Sequence, residues 1–259
     1  MSFSERKFSA THSSVRDAGH LAAQMLMQLI DEPHTGPLQT LLEAPLLLQR
    51  AAANATKIGV TFHVGSQCLE PISYVRAIEQ IAHMLNQSGV EIDALDVGGG
   101  YPVYYPGMET PPLGDYFAAI EKALTDNGFG GAQILCEPGR ALVAESGTVA
   151  VRVEMRKDAN LYLNDGTYGA LFDAGTPAWN YPIDAVSAAE ADSPTKEVAP
   201  FKLYGPTCDS LDVMHGPFML PASIDEGDWI LFHHLGAYGH AMQTQFNGFY
   251  SDTTVAILP

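Results

Sequence analysis

The chain has 259 residues, of which 46% are hydrophobic, so it has enough apolar material for one large domain or two ordinary ones. Thirty Asp and Glu residues outnumber 13 Lys and Arg residues, and the formal net charge is −17. This charge argues against nucleic acids and anionic membranes as partners, because both repel an acidic surface.

The sequence also indicates where the protein resides. Its three cysteines, an odd number without paired spacing, favour a reducing compartment over a disulfide framework. No apolar run approaches the length of about 18 residues that spans a membrane, and the polar N-terminus shows no leader pattern. We therefore expect a cytoplasmic protein.

The first half of the chain contains several predicted helices. Propensity predicts helices over residues 16–30 and 38–57, separated by a loop that Pro and Gly residues interrupt. Apolar residues recur at helical spacing over residues 73–88, and Gly89 stands where a C-cap glycine belongs. Asp115 is expected to cap a further helix that Gly128 closes.

Short apolar runs alternate with these helices. They predict strands over residues 58–64, 92–97 and 133–136, and the first and third have the character of buried strands. Alternation of strands and helices predicts a parallel α/β sheet. Ligands of such folds bind at the carboxyl ends of the strands, so functional side chains are expected there.

The pattern changes after Arg140. Alternating polarity predicts a strand over residues 148–156, and clusters of Gly, Pro and Asp separate further short predicted strands at 161–164, 201–204, 228–232 and 253–258. Residues 185–200 are small and acidic, which is typical of a mobile surface loop. The sequence therefore predicts an α/β domain over residues 1–146 and a β-rich domain over residues 147–259.

Chemically versatile groups follow the three predicted α/β strands. They comprise an imidazole and a hydroxyl after the first, three glycines after the second, and a carboxylate and a guanidinium, Glu137 and Arg140, after the third. This set suits a phosphorylated aromatic cofactor. Each group also has a simpler interpretation: Glu137 as a structural partner of Arg140, the glycines as a tight turn, and His63 as a core histidine.

Five segments carry a resemblance to a known family, and they occur in this order: Phe62–Ser66, Asp96–Pro102, Cys136–Arg140, Gly205–Asp212 and Gly236–Phe249. The chain resembles the pyridoxal-phosphate-dependent decarboxylases of ornithine, lysine, diaminopimelate and arginine, most strongly those of the ornithine type. The resemblance implies the C-terminal half of a TIM-like (β/α) barrel, followed by an all-β, Greek-key-like domain. It also implies pyridoxal 5'-phosphate as the cofactor and a homodimer with shared active sites.

The resemblance assigns residues to the cofactor. His63 corresponds to the residue that stacks on the cofactor ring, and Glu137 to the carboxylate that bonds the pyridine nitrogen, and both are catalytic. The residues implied to hold the cofactor, mainly through its phosphate, are Ser66, Gly98, Gly99, Gly100, Gly139, Arg140 and Tyr238.

Further residues are implied to meet the substrate. Cys208 corresponds to the catalytic residue that protonates the α-carbon, and Asp209 to the residue that holds the distal ammonium, both supplied by the other subunit. Phe246 corresponds to an aromatic wall of the substrate pocket. On the residues alone, a lone cysteine is usually inert and buried, and Tyr238 and Phe246 could be ordinary core residues.

The chain departs from the family pattern in two respects. The family places its cofactor-binding lysine in a Val-Lys-Ala/Cys-Asn setting, and none of the six lysines has it: Lys7, Lys57, Lys122, Lys157, Lys196 and Lys202. We therefore expect the chain to begin about halfway through the barrel, with a connection over residues 10–57 that is longer than in relatives. A second substrate-binding aspartate has no clear match, so Asp173 is left unassigned.

Three functions follow as hypotheses. The first is decarboxylation of ornithine or lysine to a diamine in polyamine biosynthesis, without a metal. The second is a non-catalytic homologue that acts as a binding or regulatory partner, because the cofactor lysine is not found. The third is a racemase-like cofactor-binding protein, against which the β-rich domain and the Cys208–Asp209 pair argue.

Overall fold

The computed structural model describes residues 44–175, 179–188 and 197–257. The predicted helix over residues 16–30, its following loop and the start of the helix predicted over 38–57 lie outside the described residues. The described chain forms two compact units. The first comprises residues 44–62, 74–97 and 119–135, and the second comprises residues 63–73, 98–118 and the described residues from 136 onward.

A parallel three-stranded sheet organises the first unit, as predicted. Its strands, in the spatial order β1-β2-β3, are Gly59–Thr61, Ala94–Asp96 and Gln133–Leu135. The central residues Val60, Leu95 and Ile134 lie in register across the sheet. The helices that alternate with these strands along the chain are α1 (Ala44–Ala52), α2 (Ile72–Ser88) and α3 (Leu113–Asp126).

The prediction that the first and third strands are buried is wrong. Every residue of β3 is exposed, including Ile134 at 39% and Leu135 at 43%, and β1 is at best half-buried. Among the described strands both lie at an edge with one neighbour each, whereas β2 lies between them and its Leu95 is fully buried. An edge strand has a strand on one side only, so fewer neighbouring side chains shield its residues than shield those of a central strand.

The helix boundaries follow the predicted signals with one correction. Gly89 has a φ of +66° and its N–H donates to the carbonyl of Leu85 at 2.9 Å, as a C-cap glycine does. Helix α3 begins at Leu113, so Asp115 lies inside its first turn and is not the N-cap. A carboxylate in the first turn still interacts favourably with the helix dipole.

A six-stranded sheet organises the second unit. Its strands are β4 (Val149–Lys157), β5 (Asn160–Leu163), β6 (Ile183–Val186), β7 (Val198–Tyr204), β8 (Val213–Pro221) and β9 (Trp229–Phe232). The spatial order is β6-β9-β4-β5-β7-β8, and every pair is antiparallel except β5 with β7. Alternate residues of the strands, among them Val151, Val153 and Phe232, are fully buried and form the core of this unit.

The β-rich character of the second half is therefore confirmed, although two details of the prediction are wrong. Residues 251–257 form no strand, and Ile257 is 92% exposed. Part of the predicted loop over residues 185–200 lies in β6 and β7, while its centre, residues 189–196, lies outside the described residues. The Greek-key character and the domain boundary after residue 146 stay predictions.

Within the described ranges, no helix is long and apolar enough to cross a membrane.

Candidate active site

The segments that follow β1, β2 and β3 all belong to the second unit, and three predicted residues meet there. The backbone N–H of Glu137 donates to the carbonyl of Gly98 at 2.8 Å. A Cβ atom added to Gly99 would lie 2.7 Å from the Glu137 carbonyl oxygen and 3.3 Å from Nε2 of His63. His63, Gly99 and Glu137 are thus neighbours, and the absence of a side chain at Gly99 permits that approach.

His63 has a defined tautomer in its neutral form. The backbone N–H of Gly65 donates to Nδ1 of the ring at 2.9 Å, so Nδ1 is an acceptor and the neutral ring carries its proton on Nε2. The side chain is exposed, unlike that of a core histidine. His63 can therefore present its ring to a planar ligand and an N–H toward Gly99.

The second strand end consists of glycines and carries no side chains. Gly98 and Gly100 have φ angles of +68° and +100°, which only glycine adopts without strain. Ser66 lies in the segment after β1 and is exposed. Consecutive backbone amides in a glycine turn are the usual constituents of a phosphate cradle, and a serine hydroxyl is a further donor of the right type.

Arg140 is buried, with 6% of its side chain exposed, and it forms a bidentate ion pair with Asp173. The two nitrogen–oxygen distances are 2.5 and 3.1 Å. Nη1 also donates to the hydroxyls of Tyr105 and Tyr181, at 2.8 and 3.0 Å. Glu137 is exposed, so its interpretation as a buried structural partner of Arg140 is wrong.

This cluster fixes the charge of the arginine. Burial lowers the pKa of Arg140, but the hydrogen bond to Asp173 and the two tyrosines raise it well above its ordinary value. Burial, followed by the hydrogen bond to Asp173, raises the pKa of Tyr181, so its hydroxyl stays protonated and donates to that carboxylate. The sequence offered no motif that marked Asp173, because the pairing is made by chain segments 33 residues apart.

Tyr238 lies beside this cluster. Its ring centroid is 4.8 Å from the guanidinium carbon of Arg140, and its hydroxyl lies 3.9 Å from the position of a Cβ added to Gly139. The residue is 45% exposed, so it is not an ordinary core tyrosine. Nε of Arg140 is buried and has no hydrogen-bond partner within the described part of the chain.

Cys208 and Asp209 lie in the turn between β7 and β8. Cys208 is exposed, in contrast to the buried, inert cysteine of the simpler interpretation, and has a φ of +57°. Both residues line a groove of about 740 Å³, which Glu154, Met155, Tyr162, Tyr204 and Phe249 also border. The groove combines carboxylates with aromatic surface, a combination that suits an organic cation.

Tyr168 is a candidate that the sequence analysis missed. Its ring stacks on Phe246 with 4.6 Å between centroids, and its hydroxyl is hydrogen-bonded to Asp209. Desolvation and this hydrogen bond raise the pKa of Tyr168. Phe246 is 40% exposed, as a pocket wall must be. No sequence signal marks Tyr168, since a tyrosine between small residues is common in turns.

The predicted residues thus form two groups in the second unit. The first gathers around the strand ends: His63, Ser66, Gly98, Gly99, Gly100, Glu137, Gly139, Arg140 and Tyr238. The second comprises Cys208, Asp209 and Phe246. Within the described ranges, neither Cys208 nor Asp209 bonds to a side chain of the first group.

Comparison with known proteins identifies what this arrangement resembles. The family model for the pyridoxal binding domain of pyridoxal-dependent decarboxylases matches residues 38–144. The chain is 33% identical to mouse ornithine decarboxylase over 81% of its own length. It is also similar to the crystal structure of the Vibrio vulnificus lysine/ornithine decarboxylase with putrescine. That match covers 80% of the chain, with 32% identity and a TM-score of 0.65. The chain is therefore similar to pyridoxal-dependent decarboxylases over most of its length.

This similarity does not by itself imply one activity. The chain is also 31% identical to antizyme inhibitor 2 of Xenopus laevis, over 89% of its own length. It spans about half the length of the curated relatives it matches, 56% of the antizyme inhibitor and 50% of the mouse enzyme. It covers 56% of the Vibrio structure.

Proposed function

We propose that the chain supplies the cofactor-binding strand ends and the substrate-facing turn of a pyridoxal-phosphate-dependent decarboxylase that acts on ornithine or lysine. The observation that carries the proposal is the close approach of His63, Gly99 and Glu137 at the ends of three adjacent parallel strands. Similarity to a lysine/ornithine decarboxylase with bound putrescine supports a substrate of this class.

The residues at the strand ends fit pyridoxal phosphate. When bound, the cofactor withdraws the electrons that remain at the α-carbon as carbon dioxide departs. The exposed carboxylate of Glu137 would hold a proton on the pyridine nitrogen, and the exposed His63 ring would stack on the cofactor plane. Glu137 and His63 therefore orient the ring and maintain its protonated form.

The phosphate would be held mainly by neutral donors. Amides of Gly98, Gly99, Gly100 and Gly139 and the hydroxyls of Ser66 and Tyr238 are suited to it by type. Arg140 adds positive charge, but Asp173 already occupies both terminal nitrogens of its guanidinium. Asp173 therefore neutralises the charge of Arg140. Nε is the guanidinium nitrogen that remains to donate a hydrogen bond to the phosphate.

Substrate chemistry would involve the second group. Cys208 would deliver a proton to the α-carbon after decarboxylation, and Asp209 would accept hydrogen bonds from the distal ammonium of the substrate. Phe246 and Tyr168 would form the wall of the pocket. We assign this group to the partner subunit's active site in a homodimer, located in the cytoplasm.

The architecture is proposed to match this function. The three-stranded parallel sheet would be part of a TIM-like barrel whose other strands are not among the described residues. Exposure of apolar residues on β3 supports this view, because further barrel strands would cover that edge. The domain boundary after residue 146 and the Greek-key connection of the β-rich part belong to the same proposal.

A second function is favoured by a specific observation. Of the lysines in the described ranges, none has the family setting, and the chain resembles antizyme inhibitor 2 along most of its length. A homologue that binds a partner without catalysis would retain the fold and the β-rich surface. Failure to release carbon dioxide when the lysine-bearing half of a relative is supplied would favour this alternative.

A mixing experiment tests the proposed function. In an active enzyme that contains this sequence, Cys208→Ala and Glu137→Ala should each abolish most carbon dioxide release from ornithine. Because one pocket of each heterodimer would be intact, a random mixture should recover up to about a quarter of the parental activity. A mixture that stays inactive, although mass spectrometry shows subunit exchange, would place Cys208 and Glu137 in the same subunit's site.

A further inference from the structure

Asp212 is a buried carboxylate that joins two turns of the second unit. Its side chain is 2% exposed. Oδ1 accepts hydrogen bonds from the backbone N–H and the hydroxyl of Thr167, at 2.8 and 3.0 Å. Oδ2 accepts hydrogen bonds from the same two groups of Thr207, at 3.1 and 2.6 Å. An ionised carboxylate has about four acceptor positions, and all of them are used here.

The backbone packs closely around this carboxylate. A Cβ atom on Gly166 or on Gly205 would overlap the Asp212 side chain. The N–H of Gly205 donates to the Asp212 carbonyl at 2.9 Å, and the N–H of Asp212 donates to the Asp209 carbonyl at 3.0 Å. The carboxylate is therefore enclosed by its own turn and by the turn that contains Thr167.

In the described part of the chain, Asp212 is held by hydrogen bonds and not by an ion pair. Among the described residues, no basic side chain forms an ion pair with Asp212. A second buried carboxylate, Asp165, lies close enough that its pKa is raised, chiefly by burial and further by the charge of Asp212. Burial removes the solvation of a carboxylate, and hydrogen bonds must replace it. The four hydrogen bonds of Asp212 replace that solvation, and they also fix the positions of the two threonines that donate them.

Those bonds converge on the candidate substrate-facing residues. Thr207 precedes Cys208, whose left-handed backbone conformation persists only where its surroundings fix it. Thr167 precedes Tyr168, which bonds to Asp209 and stacks on Phe246. Asn247, next to Phe246, donates from Nδ2 to the Thr207 carbonyl at 3.0 Å.

We propose that Asp212 is a positioning residue, which fastens the turn of Cys208 and Asp209 to the turn of Tyr168 through the paired Thr207 and Thr167. The importance of this geometry for catalysis rests on the proposed function. The proposed positioning itself is independent of that function, because it concerns the orientation of the exposed Cys208 thiol in this chain alone.

The test measures alkylation of Cys208 by iodoacetamide across a range of pH, in a background where Cys68 and Cys136 are serine. Thr207→Val removes one hydroxyl donor with little change in shape, and Thr207→Ser restores it. We expect Thr207→Val and Asp212→Asn each to change the alkylation rate at least threefold and to displace its pH profile. Thr207→Ser should retain the parental rate and profile.

Thr125→Val is the matched control. Its hydroxyl bonds the Glu121 carbonyl at 2.9 Å within α3, and its loss should leave Cys208 unaffected. The proposal is overturned if Thr207→Val lowers the melting temperature but leaves alkylation unchanged, if Thr207→Ser behaves like valine, or if Thr125→Val has the same effect. If Asp212→Asn fails to fold, the comparison of Thr207→Val with Thr207→Ser still tests the proposal. Alkylation requires neither cofactor nor substrate, so its result stands whether or not decarboxylation is found.

Discussion

Replacing Asp173 by alanine should lower the free energy of unfolding by about 3–5 kcal/mol, the range for a buried ion pair that loses one partner. The Arg140 guanidinium stays charged at all ordinary pH values and is 6% exposed, so it cannot recover its solvation in the folded chain. The hydroxyls of Tyr105 and Tyr181 still accept hydrogen bonds from the guanidinium, but neither tyrosine carries a negative charge that would compensate it. Urea denaturation at neutral pH measures the change.

Asp126→Ala is the matched control for this substitution. Its ion pair with Lys122 joins side chains that are 55% and 76% exposed, so its loss should cost less than about 1 kcal/mol. An Asp173→Ala effect as small as that of the control would mean that water or the tyrosines satisfy Arg140. The Arg140–Asp173 pair would then not hold the cluster together.

Replacing Gly99 by alanine should weaken the binding of pyridoxal phosphate at least tenfold, about 1.4 kcal/mol. The added Cβ would lie 2.7 Å from the Glu137 carbonyl oxygen, so the segments after β2 and β3 must separate. Separation moves Glu137 and His63 relative to the glycine amides, and overpacking of this kind costs about 1–3 kcal/mol. Calorimetric titration of the variant with the cofactor measures the loss.

Gly114→Ala controls for the extra methyl group. A Cβ at Gly114 meets no atom within 4 Å, and the residue lies in α3, where alanine is favoured over glycine by about 1 kcal/mol. This variant should bind the cofactor like the parent. Equal affinities of Gly99→Ala and the parent would show that the strand ends do not form the cofactor site.

The sequence allowed the strand ends to be located because their signal is local. The first two apolar runs stop at Gly65 and Gly98, and the third stops at Glu137, directly before Pro138. The parallel pairing confirmed that these stops are neighbours. Alternation of strands and helices predicts a parallel sheet by itself, and a parallel sheet brings Gly99 and Glu137 to the same edge.

Other features depended on tertiary contacts and could not be predicted. Arg140 pairs with Asp173 rather than with the nearby Glu137, because the chain turns Asp173 toward it from a separate segment. Strand β8 escaped notice because Gly216 and Pro217 interrupt its apolar pattern. Exposure of β3 reflects its position at the sheet edge, which its apolar sequence does not reveal.

The most direct test of the cofactor-binding claim is a titration of the purified chain with pyridoxal phosphate, followed by borohydride reduction and mass spectrometry. We expect saturable binding of one cofactor per chain without a stoichiometric lysine adduct, because the strand ends supply the donors whereas no lysine has the family setting. Absence of saturable binding would contradict the assignment of the site. A single-site lysine adduct would show that the chain contains its own cofactor lysine.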